Sequence, residues 1–126
     1  MTWEPASDIF EIIKNILASG LFPHVDRQCI YAMRGYGSSS RAIARIWSLP
    51  KPWQIALRSR PSYVIEVIAE KFDHRSFEEK EKTLIHELMH IPKTFSGALV
   101  PHKNRGRAIN SRNVDSIYAQ YKLKNL

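Results

Sequence analysis

The sequence predicts an α+β fold with an N-terminal helix, a small and mostly antiparallel sheet, a helix with two histidines near its end, and a C-terminal helix. Apolar residues recur at helical spacing near both ends of the chain and around residue 85. Three stretches between residues 28 and 72 are instead rich in β-branched and aromatic residues. The chain has 126 residues, 44% of them hydrophobic, which predicts one domain over residues 1–126 with a single core.

The first predicted helix covers residues 5–19. Pro5 suits the first helical turn, where its missing N–H costs nothing, and Gly20 stands where a C-terminal cap is expected. The residues between them place one apolar stripe along the helix, formed by Ile9, Ile12, Ile13, Ile16 and Leu17.

Three strands are predicted after this helix. They are QCIYAMRGY (residues 28–36), RAIARIWSLP (41–50) and SYVIEVIAEKF (62–72), of which the last has the clearest alternation. Pro50 and Pro52 predict an extended connection, because proline disfavours helical backbone in the residue before it.

The histidine-bearing helix is predicted to begin at Ser76 and to end near Pro92. Ser76 and Glu79 have the spacing of a capping box, in which each side chain pairs with a free backbone N–H. The apolar residues of this helix fall within an arc of roughly 160° at 100° per residue, and His86 and His90 lie on the opposite side. Histidines of the core would fall within the apolar arc, so this placement favours a binding role.

His86, Glu87 and His90 form the pattern H-E-x-x-H, which predicts a zinc site. Two imidazoles one helical turn apart can bind the same tetrahedral Zn²⁺ and leave positions for a third ligand and a water. Glu87 is poorly placed to be a ligand, but it is well placed to take a proton from a water that the metal activates. The pattern therefore predicts a hydrolase with Glu87 as general base.

Two residues are candidates for the third zinc ligand. His102 follows the second histidine after eleven residues, and a turn at Ser96-Gly97 can reverse the chain between them. Asp115 lies on the last predicted helix, near its start, where a carboxylate also offsets the helix dipole. We favour His102, since neutral imidazole suits zinc and an exposed basic loop gives no other reason for a histidine.

The last predicted helix covers residues 111–124, with Ser111 as its cap and an apolar stripe at i, i+3, i+4 and i+7. From Lys103 onward the chain is also strongly basic, with only Asp115 as a counter-charge. This basic segment is a possible nucleic-acid surface, although no known nucleic-acid motif accompanies it. Its basic residues are Lys103, Arg105, Arg107, Arg112, Lys122 and Lys124.

The composition indicates a cytoplasmic protein without a membrane segment. Cys29 is the only cysteine, which excludes an intrachain disulfide and fits a reducing compartment. No apolar run reaches membrane-spanning length, and the N-terminus has acidic residues where a signal peptide needs basic ones. The sequence leaves the oligomeric state undetermined.

The segment KTLIHELMHIPKTFSGALVPH, residues 82–102, resembles the putative phage metallopeptidase family. These small zincin-type proteins of viruses, bacteria and archaea have a similar block, H-E-L-x-H-I-P-K-x-F-S-G-x-L-x-x-H. The resemblance extends upstream and covers most of residues 38–108. It implies His86, His90 and His102 as metal ligands and Glu87 as general base.

The resemblance implies a minimal zincin-like domain and a zinc metallopeptidase that acts on proteins or peptides. In zincins an edge strand of the sheet pairs with the substrate, and residues 63–69 are the candidate here. Glu66, within that strand, is expected either to orient a ligating imidazole or to be an exposed edge carboxylate. His74, Tyr63 and Tyr118 are the candidates for stabilising the oxyanion.

Two other functions remain open from the sequence. One is a nucleic-acid-associated protein with a structural zinc site, which would need a fourth protein ligand such as Asp115. The other is a DNA-associated protease, since the chain is more distantly similar to SprT-like proteases, which degrade proteins attached to DNA. The basic C-terminal segment would suit such targeting, by analogy of fold alone.

Overall fold

The computed structural model describes residues 1–126 and has the predicted α+β architecture. Five helices accompany one sheet of four strands in the order β1-β2-β4-β3. The strands pair antiparallel at both edges and parallel in the centre, between β2 and β4. The elements in chain order are β1 (Thr2–Pro5), α1 (Ser7–Ala18), β2 (Ile30–Tyr36), β3 (Ala44–Ser48), α2 (Lys51–Leu57), β4 (Tyr63–Ile68), α3 (Ala69–Phe72), α4 (Phe77–Leu88) and α5 (Ser111–Lys124).

The N-terminus differs from the prediction. Pro5 does not begin a helix but ends β1, where it lies opposite Met33 of β2, and α1 begins only at Ser7. Four residues are too few to show an alternating pattern, so β1 was missed. The apolar stripe of α1 was predicted correctly, and its residues Ile9, Ile13 and Ile16 are buried.

The extended connection predicted after β3 is wrong, because residues 51–57 form α2. Pro52 occupies the first turn of this helix, where proline is well tolerated, and Pro50 is the extended residue that precedes it. The helix ends at Arg58, which has a left-handed backbone with φ of 52°.

The prediction that residues 63–69 form the edge strand is also wrong. β4 lies between β2 and β3, and five of its six residues are buried. Its strong apolar character reflects burial on both faces, which is the usual sequence signature of a central strand. The edge strand on the side of α4 is β3.

One core joins the sheet to the helices. The inner face of the sheet packs on α1 and α4, and α5 packs on the far side of α4. Ile13 of α1, Ile65 of β4 and Leu84 of α4 belong to this core, and each is fully buried. No helix has the length and apolar character needed to span a bilayer.

The start of α4 and both ends of α5 agree with the prediction. The end of α4 does not, because the helix stops at Leu88 instead of continuing to Pro92, which has no N–H to donate to the Leu88 carbonyl, and His90 therefore lies in the turn that follows. Ser76 Oγ accepts a hydrogen bond from the Glu79 N–H, although the Glu79 carboxylate pairs with Arg75 instead of completing the capping box. Helix α5 covers the predicted residues 111–124, but Asn110, not Ser111, is its cap.

Candidate metal centre

Helix α4 places three polar side chains beside the cleft because its opposite side is anchored in the core. Leu84, Ile85 and Leu88 are fully buried against the sheet and α5. This anchoring turns His86 outward, with Glu87 at the boundary between cleft and core. His90 lies just beyond the last helical residue, in a turn whose backbone still bonds back to Glu87.

The structure brings His86, His90 and His102 together. One ring nitrogen from each lies within 4.8 Å of the others, and the Nε2 atoms of His86 and His102 are 3.1 Å apart. His90 Nδ1 lies 2.6 Å from the Val100 carbonyl oxygen. Because a carbonyl only accepts hydrogen bonds, Nδ1 must carry the proton, and Nε2 of His90 keeps its lone pair for a ligand.

The electrostatics of the cluster suit a metal cation. Burial, followed by the nearby charges of His90 and His102, lowers the pKa of His86 to about 4. Burial also lowers the pKa of His90. These two imidazoles are therefore neutral at physiological pH, which is the form that binds metals. The three converging rings thus fit the ion that the H-E-x-x-H pattern predicts.

Glu87 is a buried carboxyl group with an unusual environment. It is only 6% exposed, and no protein group donates a hydrogen bond to its carboxylate. Burial therefore raises the pKa of Glu87 to about 8. One carboxylate oxygen lies 3.9 Å from His86 Nε2, which places the group beside the histidine cluster but outside it. A cation among the imidazoles would lower this pKa, since a nearby positive charge stabilises the carboxylate.

The alternative third ligand, Asp115, does not join the cluster. Its carboxylate lies 3.1 Å from Lys82 Nζ on the rim of the cleft. The cleft has a volume of about 690 Å³ and lies between β3, α4 and the start of α5. The histidine cluster lines this cleft. Ile43, Ala44 and Leu99 form part of the cleft's walls.

The loop that delivers His102 is held by two buried polar side chains, Tyr63 and Gln54. The sequence suggested Tyr63 only for the oxyanion role and did not single out Gln54. Tyr63 donates a hydrogen bond from its hydroxyl to the Ala98 carbonyl and accepts one from the Gly97 N–H, both at 2.8 Å. Gln54 of α2 donates to the Ser96 carbonyl at 3.1 Å. These bonds fix the turn on which the position of the third imidazole depends.

Gly97 is required at this turn for two reasons. Its φ of 93° is in the left-handed region, and a Cβ atom there would collide with Gln54 Nε2 and with the Leu49 carbonyl oxygen. The turn at Ser96-Gly97 was predicted from the sequence. Its partners were not, because they lie 34 and 42 residues away along the chain.

Glu66 meets neither sequence expectation. It is 1% exposed, so it is not an edge carboxylate, and it contacts no imidazole. Its oxygens instead accept hydrogen bonds from Arg45, Trp47 and Trp3 on the opposite face of the sheet. Because β4 is central, side chains from β3 on one side and from β1, beyond β2, on the other side reach this carboxylate.

The three candidates for the oxyanion role do not line the cleft. Tyr63 is fully buried and bonds the Ser96–Ala98 turn. Tyr118 donates its hydroxyl to Glu81 at 3.2 Å, and His74 is exposed in the turn before α4, at the far end of that helix from the cluster.

Comparison with known proteins agrees with this geometry. A family model described as "Putative phage metallopeptidase" matches residues 1–122. The chain belongs to this family. The phage metallopeptidase match includes β1 and α1, which lie outside the residues 38–108 recognised from the sequence, and it includes the whole histidine cluster. No curated protein and no solved structure matches the chain.

Proposed function

We propose that this phage metallopeptidase family member is a zinc-dependent endopeptidase. The observation that supports the proposal is the convergence of His86, His90 and His102 on one point at the floor of an open cleft, with Glu87 buried beside them. Three imidazoles are a common ligand set of catalytic zinc, which leaves the fourth position free. Asp115, which a closed structural site would need, is engaged by Lys82.

Each residue has a distinct role in this proposal. His86, His90 and His102 would hold the zinc ion, and the bond from His90 Nδ1 to Val100 would keep that ring in the orientation it needs. When bound, zinc supplies Lewis acidity that polarises the peptide carbonyl and makes water more acidic. Glu87 would accept a proton from the attacking water and pass it to the leaving amine.

The free edge of β3 is the proposed binding surface for the substrate. β3 pairs with β4 on one side only, and its residues Ala44, Arg45 and Ile46 line the cleft. An extended peptide can pair with the free backbone groups of such an edge strand, which places its scissile bond across the cleft. The sequence predicted that residues 63–69 pair with the substrate. We propose residues 44–48 instead, because they form the edge strand beside the cleft.

The test combines zinc analysis with peptide hydrolysis on wild type and on Glu87→Gln. We expect one zinc ion per chain in both proteins. We expect hydrolysis of an unfolded protein or a peptide library by wild type only, with a loss of about 100-fold or more in the variant, as for removal of a general base. Glu87→Gln keeps the size of the side chain, so the metal site should remain intact.

Glu81→Gln is the matched control. Glu81 lies on the same helix, is also buried, and accepts a hydrogen bond from Tyr118, which a glutamine can still accept. We expect this variant to retain both zinc and hydrolysis. A wild-type protein without zinc, or equal hydrolysis by wild type and Glu87→Gln, would contradict the proposal.

A further inference from the structure

The face of the sheet that points away from α1 and α4 has a cluster of exposed aromatic side chains. We call it the outer face and define it by Trp3, Tyr31, Met33, Trp47 and Val64. Its three aromatic residues are 53%, 54% and 50% exposed, in chain order. Single exposed aromatic residues are ordinary, whereas several on one surface indicate a binding site.

The two tryptophans of the outer face are held in place by a buried carboxylate. Trp3 Nε1 donates to one oxygen of Glu66 at 3.0 Å, and Trp47 Nε1 donates to the other at 2.8 Å. Arg45 pairs with the same carboxylate at 2.8 Å. Gly35 makes room for it, because a Cβ atom there would collide with Glu66 Oε2.

This arrangement prepares the two indole rings for a flat ligand. About half of each tryptophan is exposed, although its indole N–H is bonded to the buried Glu66 carboxylate. A hollow of about 380 Å³ is lined by the two tryptophans together with Met33 and Val64. A side chain that is already fixed loses little conformational entropy when a ligand binds, which favours affinity.

The positive charge of the chain is concentrated in the segment that builds much of this face. Residues 27–65, which include β2, β3 and α2, contain seven basic residues and no acidic one. The other 12 basic residues of the chain equal its 12 acidic residues, so this segment accounts for the whole net charge of +7. Its basic residues are Arg27, Arg34, Arg41, Arg45, Lys51, Arg58 and Arg60.

Four of these cations are exposed and have no carboxylate partner: Arg27, Arg41, Lys51 and Arg58. An anionic partner would therefore meet unpaired positive charge on the segment that supplies β2 and β3 of the outer face. A second copy of the chain would instead bring like charges together, because a two-fold interface places equivalent surfaces opposite each other.

We propose that the outer face binds single-stranded nucleic acid, with bases stacked on Trp3, Tyr31 and Trp47 and phosphates attracted by the basic residues of segment 27–65. Stacking on aromatic side chains tolerates any base, and it requires unpaired bases whose faces are free. The proposal uses no residue of the histidine cluster and is independent of the proposed peptidase activity.

The experiment measures binding of the zinc-loaded chain to labelled oligo(dT), oligo(U) and a DNA duplex by fluorescence anisotropy. We expect both single strands to bind more tightly than the duplex and to quench tryptophan emission, since two of the three tryptophans, Trp3 and Trp47, lie on the outer face. Affinity should fall with salt, with a log–log slope of about −0.7 for each phosphate contacted. A difference between oligo(dT) and oligo(U) shows which sugar is preferred.

Tyr31→Ala is the aromatic variant, because Tyr31 is exposed and makes no side-chain hydrogen bond that folding would miss. We expect affinity for both single strands to fall about tenfold, the effect of losing one stacked base. Phe77→Ala is the matched control, since Phe77 is equally exposed but lies at the start of α4. It should bind as wild type does.

A charge variant with Arg27, Lys51 and Arg58 each changed to glutamine should bind more weakly and with a shallower salt slope. Its control changes Lys103, Arg105 and Arg107, the basic loop that the sequence indicated as a nucleic-acid surface, and should bind as wild type does.

Three results would overturn the proposal. They are no binding of either single strand at low salt, tighter binding of the duplex, and a loss of binding in the Lys103–Arg107 variant with none in Tyr31→Ala. Concentration-dependent dimerisation that Tyr31→Ala abolishes, without oligonucleotide binding, would assign the outer face to a second copy.

Discussion

Two buried glutamates, on opposite sides of the sheet, have opposite electrostatic environments. Glu87 in the cleft receives no hydrogen bond, and burial raises its pKa to about 8. Burial alone would also raise the pKa of Glu66, but hydrogen bonds from Arg45, Trp47 and Trp3 outweigh it and lower the pKa. Both groups are buried, so the hydrogen-bond partners decide the direction of the pKa shift. With donors around it Glu66 is a stable structural anion, whereas Glu87, without donors, is a carboxyl group that a nearby cation would ionise.

The largest effect is expected from removing one of the three imidazoles that would hold the zinc ion. His102→Ala should weaken zinc binding by more than about 100-fold, since loss of a ligand should exceed the 10- to 100-fold cost of losing an outer partner. Asp115→Ala should leave zinc affinity near wild type, because Asp115 pairs with Lys82 outside the cluster. Competition with a chromophoric chelator measures both. The reverse pattern would move the ligand to α5.

The next effect is on stability and distinguishes the two glutamates directly. Glu66→Ala should lower the free energy of unfolding by about 3 kcal/mol, because it leaves two indole N–H groups and Arg45 without their buried acceptor. Glu87→Gln should leave stability unchanged or raise it in the metal-free protein, since no donor loses a partner. Urea unfolding at neutral pH measures both, and equal losses would contradict the comparison.

A smaller effect is expected from the residue that holds the loop of the third imidazole. Tyr63→Phe keeps the ring but removes the hydroxyl that bonds Gly97 and Ala98. Zinc affinity should fall about tenfold, which is the usual cost of losing a group that orients a metal ligand without binding the metal itself. The control is Tyr121→Phe, a buried tyrosine of α5 that contacts neither the loop nor the cluster. Equal affinities in the two variants would show that the loop needs no such support.

The last effect, which accumulates gradually over a pH range, is a pH dependence of opposite sign at the two glutamates. The folded pKa of Glu66 is below the ordinary glutamate value of 4.5, so its stabilising contribution is complete above pH 4.5 and is lost as pH falls through the folded pKa. The stability gap between wild type and Glu66→Gln should therefore narrow on acidification below pH 4.5.

Glu87 behaves in the opposite way in the metal-free protein. Its folded pKa of about 8 exceeds the ordinary glutamate value of 4.5, so between these two pH values the folded state holds a proton that the unfolded state releases. Stability should therefore fall as pH rises from 4.5 towards 8, and Glu87→Gln should gain relative to wild type over that range. If the difference in the free energy of unfolding between wild type and Glu87→Gln stays constant with pH, Glu87 has an ordinary pKa.

The sequence predicted the parts of the molecule that depend on local patterns. The apolar side of α4, the outward direction of His86 and the bounds of α5 all follow from helical periodicity within one element. His90 lies beyond α4, in a turn that still bonds back to Glu87. The sequence could not predict the surroundings of Glu66, whose partners come from β1 and β3 and depend on strand order. The central position of β4 was missed for the same reason. β1 was missed because it is too short to show a pattern, and α2 because its prolines also fit an extended connection.

The most direct test of the account is an NMR titration of the two carboxyl groups in ¹³C-labelled protein, with and without zinc. In the metal-free protein, Glu87 should titrate near pH 8 and Glu66 below pH 4.5. Zinc should lower the pKa of Glu87 strongly, because a cation among the imidazoles stabilises the neighbouring carboxylate, and should leave Glu66 unchanged. A Glu87 pKa that does not respond to zinc would contradict the claim that this carboxyl group lies beside a metal centre and serves it as a base.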